Sequence, residues 1–233
     1  MTISGNTTFQ SGKLAELTLS ARKHKNNRFL EAAEEVVNFL DDNIDLSQCN
    51  FFEPFAQTGA KHTKQFYQKV KNVEAWEIDK NLEKELRKNL PDATIKICDS
   101  IEVVSSDNFI LDEKFDILAI DAPLNCYGEQ EQYCEHFDFF SHIPKLVKDH
   151  GVVIFNVITS PFNYKDSPRW KERREAYYDS TETGNMSVDF MVDFYKNKIK
   201  ELGYNTNFEF TTCREIYKGN EYFHYVVFGI QGV

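Results

Sequence analysis

The chain has 233 residues, 41% apolar and 27% charged, enough for one sizeable globular domain that buries a core without disulfides or a structural metal. With 27 basic against 37 acidic residues the net charge is −10, which repels phosphate backbones on average and makes nucleic acid an unlikely partner. The five cysteines form no C-x-x-C pair, no apolar run approaches the roughly 18 residues of a membrane span, and "MTISGNTTFQSGK" is no signal peptide, so a cytoplasmic protein with free thiols and no metal is expected.

In chain order, Phe29, Ala33, Val36, Val37 and Leu40 repeat at helical spacing and predict an amphipathic helix, part of an N-terminal helical extension over residues 1–46. "CNFFEPF" predicts strand one, residues 61–70 a helix, and "VEAWEI" strand two. A helix with Leu82, Leu86 and Leu90 on one face follows, ended by Pro91. "ATIKIC" is strand three and "FDILAID" strand four. Phe139, Phe140, Ile143, Leu146 and Val147 predict a helix ending at Gly151, before "VVIFNV" as strand five. Short apolar runs alternating with helices imply βαβ units, hence a parallel sheet covered on both faces. Beyond an insertion at about 160–186, Val188, Met191, Tyr195, Ile199 and Leu202 mark a last helix. Two long strands joined across "KGN" then form an antiparallel hairpin.

This order of elements resembles the seven-stranded class I S-adenosylmethionine (SAM)-dependent methyltransferases over about residues 47–230, within a Rossmann-like domain expected over 47–233. The resemblance implies a doubly wound α/β sheet, a SAM cofactor and methyl transfer to an oxygen or nitrogen of a small-molecule acceptor. In it, "EPFAQTGA" occupies the first motif, close to the D-P-F-x-G-x-G variant, with Gln57 where a glycine usually stands. Glu53 would hold the ligand's ammonium, Phe55 and Gln57 fall inside the motif, and N–H groups near Gly59 would face its carboxylate. The plain alternative is a strand-to-helix turn with Glu53 favouring the next helix. Glu77 ends strand two 18 positions after Gly59, the spacing at which nucleotide-binding α/β folds place a ribose-binding acid. Asp79 reads instead as a helix cap. Ile78 would form one wall of the adenine slot or be core. Asp99 would lie at the adenine edge, with the Ser100 N–H facing a ring nitrogen, or cap the helix that follows.

Asp121 ends strand four after four apolar residues and is the candidate catalytic residue, as general base or orienting group. The base-gripping D-P-P-Y of nucleic-acid amino-methyltransferases is replaced by "DAPL". Asn125 and Tyr127 are further acceptor-site candidates. In the insertion, Tyr164, Trp170 and Arg173 would line the acceptor pocket under a mobile cover over 163–182; the alternative is a solvated helix begun by Ser167 and Pro168. "RKHK" at 22–25 reads as a solvated charge run. Cys126, Cys134 and His136 lack zinc spacing. Two rival functions remain: an aminopropyltransferase resembling spermidine synthase, and a non-catalytic module keeping the fold. Oligomeric state is open, a homo-oligomer included.

Overall fold

The computed structural model describes residues 28–161, 166–217 and 220–233; the N-terminal stretch with "RKHK", Tyr164, and most of the "KGN" turn lie outside them. A helix α1 (Arg28–Asp41) leads to strand β1 (Asn50–Glu53), helix α2 (His62–Tyr67) and strand β2 (Asn72–Glu77). Helix α3 (Glu83–Asn89), strand β3 (Thr94–Ile97), helix α4 (Ser100–Ser105) and strand β4 (Phe115–Ile120) follow. A strap carries two-residue strands β5 (Cys126–Tyr127) and β6 (Tyr133–Cys134), then helices α5 (Phe137–Phe140) and α6 (Ile143–Leu146). Strand β7 (Val147–Ile158), helices α7 (Pro168–Tyr178) and α8 (Val188–Glu201), and strands β8 (Tyr204–Tyr217) and β9 (Asn220–Gly232) complete the chain.

The main sheet has seven strands in the order β3-β2-β1-β4-β7-β9-β8. Strands β1 to β4 and β7 are parallel, and β9 runs antiparallel to both β7 and β8. Strand order reverses between β1 and β4, the position at which open α/β sheets open a crevice at their C-terminal edge. Both faces are buried, so successive residues of a strand enter different cores. Phe51, Ile117, Ala119 and Ile154 pack with α1 to α3, whereas Phe52, Leu118, Ile120 and Phe155 pack beneath the α4 to α8 side. Helix α1 is a full member of this layer: Ala32, Val36, Val37 and Leu40 are buried, and Phe39 stacks on Phe210 of β8 at 4.4 Å between ring centroids.

One expected helix is corrected. Only residues 137–140 and 143–146 are helical, and Val147 already belongs to β7. The register jumps from Phe115↔Val147 to Ile117↔Val152, so Gly151 sits at a strand irregularity and caps no helix. A Cβ there would come within 3.1 Å of the Asp116 carbonyl oxygen. In the insertion, the helix expected to begin at Ser167 and Pro168 is present over residues 168–178, but it is not fully solvated, because its inner face, Trp170, Arg174 and Tyr178, is buried.

Candidate functional site

Three acidic side chains end three adjacent strands: Glu77 on β2, Glu53 on β1 and, one residue past β4, Asp121. The turn after β1 rims a cleft lined by Glu53, Phe55, Gln57, Gly59, His62, Asp121 and Arg214, among others. The sequence dictates the turn's shape at two positions. Gly59 has φ +66°, and a Cβ on it would stand 2.7 Å from Leu90 and 2.8 Å from Leu86 of the neighbouring α3 segment, so only glycine fits. Gln57 has φ +51°, a left-handed backbone conformation uncommon for a residue other than glycine. The turn thus takes a left-handed path at both Gln57 and Gly59.

That path brings the Gln57 N–H to 2.7 Å from Glu77 Oε2, while Glu77 Oε1 accepts from the Asp79 N–H at 2.8 Å. Glu77 is thereby fixed at the crevice, 7% exposed, with lone pairs left over for a ligand. Asp79 instead caps the turn at Lys80–Leu82, its carboxylate accepting from the Asn81 N–H. Asp99 caps α4, accepting from the Ile101 and Glu102 N–H groups, and the Ser100 hydroxyl donates to the Pro54 carbonyl at 2.5 Å, tying β3's end to the β1 turn. Ile78 is 63% exposed, so it is no core residue; it leaves an apolar side chain in the open directly after Glu77.

Glu53 and His62 are both nearly fully buried, with Glu53 Oε2 and His62 Nδ1 3.5 Å apart. Glu53 Oε2 and both His62 ring nitrogens have no hydrogen-bond partner, although buried polar atoms ordinarily have one. Asp121 is engaged more fully. Its Oδ1 accepts from Asn156 Nδ2 at 2.7 Å and from Arg214 Nη1 at 2.5 Å, and its Oδ2 faces the Tyr225 hydroxyl at 3.4 Å. The Arg214 guanidinium lies over the rings of Phe29 at 3.9 Å and Phe223 at 4.1 Å. Sequence reading missed Arg214, whose stretch "TTCREIY" is as polar and charged as a solvated edge strand.

The acceptor-side candidates separate. Tyr127 joins the cleft indirectly, its ring edge-on to Phe55 at 6.3 Å and its hydroxyl donating to the Glu135 carbonyl. Asn125 is exposed on the strap, and its carbonyl accepts from the Glu135 N–H. Trp170 and Arg173 stand apart from the cleft. Trp170 is buried with its indole N–H donating to Glu135 Oε1, and Arg173 forks onto Asp138 at 2.7 Å. Metal-type donors gather where the sequence suggested none: Cys213, Glu221 and His224 bring a thiol, a carboxylate and an imidazole within 4.8 Å of one another. The positive charge of Arg28 acts on Cys213 and opposes a cation there.

No protein-family model matches the chain, and no curated protein sequence matches it. Solved structures do. Trm5b from Pyrococcus abyssi matches with a TM-score of 0.57 at 14% identity, over 89% of this chain but only 50% of that one, so the chain spans half of it. The putative RNA methyltransferase PH1948 from Pyrococcus horikoshii matches with a TM-score of 0.55 at 16% identity, over 93% of this chain and 94% of that one. TYW2 from M. jannaschii, crystallised with AdoMet, matches with a TM-score of 0.54 at 14% identity, over 91% and 80%. The fold is that of the class I SAM-dependent methyltransferases. These matches overturn the expectation of a small-molecule acceptor with nucleic acid disfavoured, since a putative RNA methyltransferase shares the fold along nearly its whole length. Net charge averages over the surface, whereas acceptor binding depends on local potential, and this cleft is lined by acids and cations together, Glu53 and Asp121 beside Lys61 and Arg214.

Proposed function

We propose that the chain binds SAM across the C-terminal ends of β1, β2 and β3 and transfers its methyl group to a nitrogen or oxygen atom of an acceptor. The observation that carries this reading is Glu77, held by two backbone N–H groups at the end of β2 beside the strand-order reversal. A rigid carboxylate there suits ribose hydroxyls. The exposed Ile78 suits an adenine face, and Asp99 with Ser100 borders the same edge. Glu53 Oε2 and His62, buried without hydrogen-bond partners, suit a zwitterionic amino-acid end. SAM supplies the electrophilic methyl group; the chain's residues supply position and charge.

Asp121 acts as an orienting group in this reading. Its Oδ1 is committed to Asn156 and Arg214, so the carboxylate anchors the guanidinium at the cleft. Isothermal titration calorimetry of the purified chain with SAM and S-adenosylhomocysteine tests the binding step. Saturable heat is expected, and none at millimolar ligand would promote the non-catalytic module. Transfer of labelled methyl from SAM to total RNA is the first acceptor assay, because PH1948 matches along the length of both chains.

A further inference from the structure

We propose that Cys126 and Cys134 are a redox pair that closes to a disulfide on exposure to a small-molecule disulfide such as glutathione disulfide. The two cysteines face each other across the antiparallel strands β5 and β6. Hydrogen bonding identifies the kind of rung they occupy. The Glu135 N–H donates to the Asn125 carbonyl at 3.1 Å, so the adjacent pair, 125 and 135, is the hydrogen-bonded one. The Cys134 N–H turns away to Asp138 Oδ2 at 2.9 Å. Cys126 and Cys134 therefore form a non-hydrogen-bonded pair, where Cα atoms lie about 4.5 Å apart and side chains are at their closest. A disulfide requires Cα atoms about 4.4 to 6.8 Å apart. Cys49, Cys98 and Cys213 stand on other elements, so the pairing is specific.

The chemistry follows from unequal burial. Cys126 is half-buried and Cys134 fully buried, so an external disulfide reaches Cys126 first. The Cys126 thiolate attacks one sulfur of glutathione disulfide; a mixed disulfide forms and one glutathione leaves as thiolate, taking up the proton. Cys134 then loses its proton and attacks Cys126 Sγ, expelling the second glutathione. Two protein thiols are oxidised and one glutathione disulfide is reduced to two thiols. Burial pushes both cysteines above the ordinary thiol value, and the Arg173 cation pulls both back, so the reaction is slow near neutrality and quickens as pH rises.

The site matters for its place. The strap leaves β4 at Asp121, and Tyr127, next to Cys126, sets its ring against Phe55 in the cleft wall. A cross-link holds that wall without touching the cofactor-side residues, and the inference does not depend on the methyltransferase reading.

Tryptic peptide mapping under non-reducing conditions reads the outcome directly. Residues 115–145 contain no internal lysine or arginine, so both cysteines fall in one tryptic peptide. After incubation of the folded chain with glutathione disulfide at mildly alkaline pH, alkylation should block three thiols instead of five. The 115–145 peptide should be lighter by two hydrogens, and its fragments after cleavage at Glu129 or Glu131 should stay joined until reduced. Cys134→Ser should stop the reaction at glutathione on Cys126. Two results overturn the proposal: wild-type protein that carries glutathione on Cys126 beside a free Cys134, or folded protein whose 115–145 peptide stays fully reduced while urea-unfolded protein reacts.

Discussion

Glu77 and Asp79 are chemically equivalent and two residues apart, yet the backbone gives them different work. Glu77 receives two N–H groups at the crevice, while Asp79 caps a turn on the solvent side. Glu77→Ala should weaken SAM binding by about 1.5–3 kcal/mol, the range for hydrogen bonds to a charged acceptor, and Asp79→Ala should change it much less. Calorimetry on both variants decides, and reversed ranks would shift the ligand's ribose to Asp79. Asp121 yields a second expectation. Asp121→Asn leaves Arg214 without its counter-charge, so about 1.5–3 kcal/mol of stability should be lost in urea unfolding, with turnover falling about 100-fold as the guanidinium at the cleft is misplaced. Adding Arg214→Met should restore part of the stability and none of the turnover. Full stability in Asp121→Asn with lost turnover would instead mark a general base. Both acids were legible from strand position and spacing. Arg214 was not, because its partner lies 93 residues away and the strand around it, "TTCREIY", carries charges that a solvated edge would also carry.

Helix α7 shows how charge hides an inner face. Its basic residues 169, 171, 173 and 174 read as one solvated run, whereas Trp170, Arg174 and Tyr178 recur every four residues and face inward. Arg174 is fully buried and pairs at 2.6 Å with Glu135, which is also fully buried and also accepts from Trp170. Arg173, one residue earlier, pairs with Asp138 near the surface. The two bridges should therefore differ sharply in value. Arg174→Ala leaves a buried carboxylate uncompensated and should cost about 3–5 kcal/mol, while Arg173→Ala should cost about 0.2–1 kcal/mol, as for exposed pairs. Urea midpoints of the two variants measure both; equal losses would mean that water reaches Glu135. The helix from 188 and the terminal hairpin, by contrast, were plain in the sequence because their apolar periods run uninterrupted to a glycine or a turn. The region 137–151 was not, since five apolar residues at near-helical spacing span two short helices and the start of β7.

At the scale of the whole molecule, the α/β class and the antiparallel ending were readable from element order alone, because parallel strands buried on both faces demand continuous apolar runs. What joins the layers was not readable, and His136 is the clearest instance. It is fully buried between β7 and α8, with Nε2 2.5 Å from the Tyr195 hydroxyl, which in turn meets Tyr178 at 2.9 Å. Burial, reinforced by the nearby Arg174 cation, lowers its pKa from 6.5 to about 3. The folded state therefore keeps His136 neutral where the unfolded state protonates it. Between these two values the unfolded chain binds more protons, so stability from this group is complete above about pH 6.5 and drains away as pH falls toward 3. One such group should remove about 1.4 kcal/mol between pH 7.5 and 5.5, a window above most carboxylate titration. His142 and His224, also held low by burial, add in the same direction, so the discriminating quantity is a difference. His136→Asn should be less stable at pH 7.5 but flatter in its urea-unfolding free energy down to pH 5.5 than the wild type, by about that 1.4 kcal/mol. Parallel curves for the two proteins would mean that His136 gains a proton in the folded state, and that the layer between β7 and α8 admits water.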